Sequence, residues 1–563
     1  MASEFRFSET SAPEDWQEWM AWLKLGLHSR TQWRLPLVLL ALLFARGRRT
    51  VTSWLRAQGI TDDYDDYYYF LASLGRKIEP LATRLFQQLL ARLPIGERVL
   101  LALDDSPTAR YGPQVEGAGL HHNPTSGPDD HKFLYGHIWV TLALVLRHPL
   151  WDTIGLPLRA LLYVKRKDLP KLAGRCRWTF RTKLELAGEL LTWAVKLLHP
   201  LGKTVWLVMD GAYAYRSLFK IILPLGVTVV SRMRRDAGLW TLPQPRQPGQ
   251  RGGKRKYGQQ RVSLAKRAAH RQGWQTLEVI LYGGRPVTKT YKTFLATWRP
   301  MGGVIRVVIV RESDGWQAFF CSDPLATAAQ ILECFADRSA IEQVFHDIKE
   351  VWGAGQQQVR NLFTNVACFH LNLWMHTLVE AWAWHKPAEE IRDRSACPWD
   401  IADRRPSHAD RRKALSRQCL QRQLSSLHIL HHINQPIQKL LQTLTSGRHL
   451  ESRWKIGSPG SWFAKGGVSS VHFPGDGAMA KQRHSAAAVE LTQEQEELAQ
   501  RIYQRLQTKL NEELLSMARL MASKADHEIF GKGEFELRDK LNQVGATIVA
   551  AAANERSKKG VPR

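Results

Sequence analysis

The chain has only six cysteines (Cys176, Cys321, Cys334, Cys368, Cys397 and Cys419), and no two of them form a C-x-x-C pair. This spacing excludes a zinc ribbon and argues against a disulfide framework, so a reducing cytosol is the expected compartment. Long apolar runs are also missing. The longest, Leu35 to Ala45, is about half of what a bilayer span needs, so no membrane partner is expected. The N-terminus carries Glu4, Glu9, Glu14, Asp15 and Glu18 where a secretory leader would have a basic region followed by an apolar one, and no leader is expected. There is no repeat at solenoid or propeller periods. Acidic residues are absent between Leu239 and Leu277, a stretch that holds nine Lys or Arg.

What is present is charge and length. The 563 residues carry a formal net charge of +27, and the pI is near 10. A chain this long exceeds one hydrophobic core and predicts roughly three or four domains. The basic excess predicts a polyanionic partner; it supplies affinity for phosphates but no chemistry.

Texture changes along the chain. Residues 1–95 read as helical, with Arg49 to Ala57 and Tyr67 to Leu74 in a helix–turn–helix rhythm around Gly59. From residue 96 the pattern becomes mixed α/β. Val99 to Leu103 is a wholly apolar run ending in Asp104-Asp105, the mark of a strand buried on both faces. Ile138 to Leu146, Leu158 to Val164, Thr204 to Met209 and Val227 to Met233 are further strands, with a helix over Lys183 to Leu198. Residues 236–325 read as a basic β-rich insertion, with Lys254, Arg255 and Lys256 in a Gly- and Pro-rich arm and β-like stretches from Leu277 to Ser322. Residues 326–385 return to helix. Residues 386–489 form a basic linker and helical region, irregular over 386–422, and 490–563 form a helical module with balanced charge.

Three acidic positions carry candidate chemistry. Asp104-Asp105 ends one buried strand, Asp210 ends another just before Gly211, and Glu342 lies on a helix. Functional groups gather at strand ends in α/β sheets. A third carboxylate from a helix completes a cage of hard oxygen ligands suited to Mg²⁺, with two such ions able to clamp an in-line phosphoryl displacement. Arg338, Glu342 and Lys349 stand at offsets of 0, 4 and 11, which at about 100° per residue fall within a narrow arc. A carboxylate flanked by two cations suits a site that holds both metal and DNA backbone. Only one member of the tandem Asp pair can join the site, because successive strand residues face opposite ways.

This pattern resembles the bacterial insertion-sequence transposases that carry a DDE triad on an RNase H-like fold. One large group of them has the signature Y-x2-R-x3-E-x6-K, and Arg338-x3-Glu342-x6-Lys349 matches its spacing. Leu103-Asp104-Asp105-Ser106-Pro107-Thr108 and Val208-Met209-Asp210-Gly211 are similar to the two Asp motifs, and the likeness covers roughly residues 98 to 380. The resemblance implies an RNase H-like catalytic core in two parts, residues 96–235 and 326–385, interrupted by the β-rich insertion. It implies Asp105 (Asp104 being the alternative), Asp210 and Glu342 as catalytic metal ligands for two Mg²⁺ ions, replaceable by Mn²⁺. Arg338, Lys349, Lys254, Arg255 and Lys256 would grip DNA. The partners it implies are the terminal inverted repeats of a mobile element, target DNA and a second copy of the chain in a synaptic dimer, in the cytoplasm on the nucleoid. The helical N-terminal domain would bind the repeats.

Two positions depart from the signature. Phe335 stands where the group has Tyr, and Ser339 follows the Arg where some relatives have Trp; Trp298 or Trp316 could supply stacking instead. A non-catalytic regulator and a nuclease that cuts without joining are the other two readings. His121, His122 and His131 lie in a loop after the first Asp motif, and His428, His431 and His432 have helical spacing but lack a zinc-site pattern.

Overall fold

The computed structural model describes residues 9–426 apart from 61, 123–131, 173, 175, 246–252, 254, 282–283, 394–398 and 402. The chain divides into two compact units, Met1–Ser458 and Pro459–Arg563, and everything described lies in the first. Lys254, His131, the histidine triplet at 428–432 and the module over 490–563 fall outside the described residues.

Five helices open the chain: α1 (Glu14–Lys24), α2 (Arg34–Phe44), α3 (Val51–Ala57), α4 (Tyr64–Gly75) and α5 (Ile78–Arg92). The strands are β1 (Arg98–Ala109), β2 (Gly119–His122), β3 (Phe133–His148), β4 (Asp152–Tyr163), β5 (Thr204–Met209) and β6 (Thr228–Met233), with α6 (Lys183–Leu198) before β5 and α7 (Arg216–Ile222) after it. Then follow β7 (Leu239–Trp240), β8 (Arg261–Val262), α8 (Leu264–Ala269), β9 (Gln275–Leu281), β10 (Arg285–Trp298), β11 (Gly303–Glu312) and β12 (Gly315–Cys321). The described part ends with α9 (Ala328–Asp337), α10 (Ser339–Glu350), α11 (Leu362–Ala383), α12 (Ala388–Ile391) and α13 (His408–Ser426).

All twelve strands among the described residues belong to one mixed sheet. Its main path runs β2-β3-β1-β5-β6-β12-β11-β10-β7-β8, with β4 on β3 and β9 on β10. β1, β5 and β6 are parallel, and the flanking pairs are antiparallel. The strands of residues 236–325 therefore continue the sheet through the pairing of β12 with β6. No helix among the described residues is long and apolar enough to cross a membrane, and the five described cysteines are free.

The apolar run Val99 to Leu103 forms a strand because it is flanked by β3 and β5 and buried on both faces. The strand does not end at the Asp pair; β3 carries it on to Ala109. β5 stops at Met209, so β1 is open on that side beyond its register partner Leu103. α6 starts where Thr182 and Glu185 cap one another reciprocally.

α11 is almost wholly buried, yet it carries His370, Asn372, His376, Thr377 and Glu380. Part of the reason is β4, which pairs only with β3. Its free edge would leave backbone groups unpaired in the core. α11 satisfies them: His370 accepts from the Ala160 amide at 3.1 Å, Trp374 donates to the Leu158 carbonyl at 2.9 Å, and Thr377 donates to the Pro157 carbonyl at 2.6 Å. The N-terminal helices share this core. Gly75 of α4 lies so close to α11 that a Cβ there would sit 1.8 Å from the Phe363 carbonyl oxygen.

Residues 386–422, expected to be irregular, contain the helix α13 from His408 onward. Arg411 and Arg412 of this helix turn inward. Arg412 donates to the carbonyls of Leu43, Ala45 and Val351 at 3.0, 2.9 and 2.9 Å, neutralising two helix C-termini. Basic residues that look like a solvated run in sequence thus cap helices here.

Candidate active site

The parallel pairing of β1 with β5 sets the site. Leu103 is in register with Met209, so the next residues along the two strands are Asp104 and Asp210. Asp210 caps the turn that follows, accepting from the Gly211 amide at 2.7 Å.

α10 reaches this point because β4 and β3 seat it. Gly155 of β4 lies under the helix, where a Cβ would be 2.9 Å from the Ala340 carbonyl oxygen. At the α9–α10 junction, Asp337 accepts from Thr153 at 2.7 Å and from Arg147 at 3.0 Å. The next residue is Arg338, which is the junction between two helices and not part of one continuous helix. Its guanidinium donates to Asp104 Oδ2 at 2.8 Å and to Glu342 Oε1, joining the two carboxylates. Phe335 lies beneath it, 5.6 Å from guanidinium to ring centroid, and packs on Phe319 in place of offering a hydroxyl.

The tandem pair splits as strand alternation requires. Asp104 faces α10. Asp105 accepts from Lys183, the first residue of α6, at 2.7 Å and from the Tyr213 hydroxyl at 2.6 Å. Tyr213 stands three residues after Asp210 in the turn that Asp210 caps. The Asp104 carboxyl is raised to about 6, by burial above all and by the charges of Asp105 and Asp210, against the pull of Arg338. Burial, and then Asp105, also raise the Tyr213 phenol well above its usual range. Carboxylates that repel one another in a half-buried pocket are suited to a divalent cation.

Other expected residues sit as follows. Lys349 is on α10 beyond Glu342, half-buried, and burial lowers its ammonium. Arg255 and Lys256 are exposed. Trp298 is 8% exposed in a cluster with Phe219 and Phe320, so it offers no face to a displaced base; Trp316 is half-buried with Arg235 over its ring at 5.2 Å. His122 is exposed. His121 is buried, and burial followed by Lys165 and Lys183 lowers it to about 4.

Sequence reading missed Lys183, Tyr213 and one further cluster. Asp347, His376 and His408, all buried, bring one ligand atom each within 4.8 Å of one another. The only sequence signal for Tyr213 is its place just after Asp210-Gly211. Nothing in spacing flags the cluster, whose members come from three helices.

Comparison with known proteins bears on the strand-borne half of the site. Residues 23–299, just under half of the chain, match the family model of the DDE superfamily endonucleases. The match includes β1 and β5, hence Asp104, Asp105 and Asp210, and stops before α10 and Glu342. No curated protein gives a significant match. Over those residues the chain is similar to the DDE superfamily endonucleases, which supports a nuclease- or transposase-type enzyme with DNA as its substrate.

Proposed function

We propose that this chain is a DNA transposase that cleaves and rejoins phosphodiester bonds at the ends of a mobile element. The observation that carries the reading is the Arg338 bridge. It joins Glu342 of α10 to Asp104 of β1, whose neighbour on the parallel strand is Asp210. Asp104 and Asp210 thus stand at neighbouring strand ends, and Arg338 ties Glu342 to Asp104, on a basic chain.

The donor chemistry of these residues suits Mg²⁺. The donors are all carboxylate oxygens, the hard ligands Mg²⁺ takes, and their mutual repulsion is relieved by added positive charge. Asp210, Glu342 and one member of the tandem pair would hold the Mg²⁺ ions, and the geometry supports Asp104 over Asp105. Such ions, or Mn²⁺, supply Lewis-acid activation of the attacking oxygen and stabilise the leaving one.

The rest falls to the protein. Arg338 holds Asp104 and Glu342 in place and offers its charge to a phosphate. Lys183 and Tyr213 fix Asp105 beside the pocket. Glu342, with its side chain 56% exposed, is open to an approaching DNA backbone. The N-terminal helices would bind terminal repeats, the exposed Arg255 and Lys256 would track the backbone, and two chains would synapse two ends on the nucleoid.

The test uses the purified full-length chain, Mg²⁺ or Mn²⁺, and a fragment bearing an element end. Nicking followed by transfer of the 3′-OH into target DNA supports the reading. Nicking without transfer makes the protein a nuclease. Binding without nicking by folded protein makes it a regulator.

A further inference from the structure

We propose that Asp347, His376 and His408 form a second metal site, separate from the carboxylate pocket and suited to Zn²⁺ or a similar divalent transition metal. Asp347 lies on α10, His376 on α11, and His408 opens α13. All three are between 3% and 7% exposed.

The distances suit an ion better than direct pairing. His376 Nε2 and Asp347 Oδ2 are 3.5 Å apart. A charge-assisted hydrogen bond would close to roughly 2.8 Å. Two ligands on one tetrahedral ion with bonds of about 2.0–2.1 Å stand roughly 3.3 Å apart. One ligand atom each of Asp347, His376 and His408 lies within 4.8 Å of the others, and the imidazoles of His376 and His408 lie 4.1 Å apart between centroids.

Surrounding groups prepare the ligands. His408 Nδ1 lies 2.6 Å from Glu380 Oε1, while its Nε2 faces the Trp352 indole N–H at 2.7 Å. An indole only donates, so Nε2 carries the lone pair and Nδ1–H points to Glu380. That is the carboxylate–histidine arrangement which raises the basicity of a metal-bound imidazole. The indole N–H holds that lone pair in the metal-free chain and would yield it to an ion. Gln343 fixes the other Asp347 oxygen at 2.9 Å.

At this cluster two buried polar side-chain atoms, His376 Nδ1 and Glu380 Oε2, lack a partner. The countercharges are also unevenly shared. Arg411 pairs with Glu380 at 3.0 Å, whereas Asp347 meets only histidines as its ion-pair partners among the described residues. A dication would answer the Asp347 charge directly. Two imidazoles and one carboxylate are a Zn²⁺-type donor set, whereas Mg²⁺ prefers oxygens and retained water. Such an ion would tie the helix that presents Glu342 to α11 and α13.

The test is metal analysis of untagged full-length protein purified without chelator. Wild type and Asp210→Asn should each contain about one zinc per chain, because Asp210 belongs to the other site. Asp347→Asn and His376→Gln should lose it while keeping the wild-type circular dichroism spectrum. Co²⁺ loaded into the wild type should give visible d–d absorption, absent in His376→Gln. Zinc should raise the wild-type melting temperature but not that of His376→Gln. The proposal is overturned if wild type and His376→Gln bind the same amount of metal. It is equally overturned if metal-free wild type takes up neither Zn²⁺ nor Co²⁺. Should both variants fail to fold, the cobalt spectrum of wild type decides alone: nitrogen- and oxygen-ligated tetrahedral absorption supports the site, and its absence refutes it.

Discussion

Glu342 and Asp347 belong to the same helix and live in opposite surroundings. Glu342 has a side chain 56% exposed, and its one described partner is Arg338; Asp347 is buried and meets Gln343, His346 and His376. The first arrangement leaves oxygens accessible to ions and DNA that come and go. The second surrounds the carboxylate with buried groups of the protein, of which His376 Nδ1 and Glu380 Oε2 keep no partner. Proteins keep exchangeable chemistry at exposed strand ends and fixed polar networks in cores, because an unsatisfied buried charge costs far more than an exposed one. One helix serves both purposes here, so its two faces can be broken separately.

The largest effect should come from the exposed face. Asp210→Asn removes a proposed metal ligand at modest structural cost and should lower DNA nicking by at least about 10³-fold with melting unchanged. Nicking measured with Mg²⁺ on a fixed end fragment checks this; a folded variant with near wild-type rates would remove Asp210 from the site. The same assay ranks the tandem pair. Asp104→Asn should lose more activity than Asp105→Asn, since Asp104 shares Arg338 with Glu342. The reverse ranking would return the role to Asp105, as the motif with Ser106-Pro107-Thr108 suggests.

The buried network next to that helix should break as stability. Arg411→Met leaves Glu380, 2% exposed, with its main countercharge gone. Removing one partner of a buried ion pair typically costs about 3–5 kcal/mol. Denaturant melts should show that loss, while nicking per folded molecule changes little at temperatures well below the transition. A loss of nicking in fully folded protein would mean that the buried network of α11 and α13 is coupled to the exposed face of α10.

How much of this is legible in the sequence follows from where the information sits. The helix read over Lys183 to Leu198 and the strand over Thr204 to Met209 coincide with α6 and β5, because each is bounded by local signals: the Thr182 cap and Asp210-Gly211. The candidate Asp and Glu positions are legible for the same reason. β1 runs on past its Asp pair because pairing with β3, a tertiary fact, carries it. The break at Arg338 between α9 and α10 and the inward arginines of α13 are illegible, since packing against β3, β4 and α2 creates them. The Asp347, His376 and His408 cluster is hidden most deeply, being assembled from three separated helices without a spacing rule.

A pH titration compares the core with the surface at smaller scale. His137 and His370 are fully buried, and burial lowers them to about 3 and about 4. Folding therefore keeps them neutral, and the unfolded chain binds protons more readily below its ordinary histidine pKa of about 6.5. Stability from these groups is complete above about pH 6.5 and falls as pH drops toward about 4, by about 1.4 kcal/mol per pH unit for each histidine. Melts of wild type and His370→Gln between these limits should differ in slope. Parallel curves would show that His370 is not kept neutral by the fold.

The smallest effect belongs to the exposed basic stretch, where Arg255 and Lys256 are open to solvent. Replacing both with Gln should leave melting unchanged within about 0.5 kcal/mol, as expected of surface positions away from packed groups. Each phosphate that the variant no longer neutralises should flatten the slope of log K against log salt for DNA binding by about 0.9. If the two side chains neutralise one phosphate each, the double variant should bind all sequences more weakly at low salt and nearly as well as wild type at high salt. If the slope is unchanged, the basic stretch does not track the DNA backbone, and the positive charge that matters must lie closer to Arg338 and Lys349.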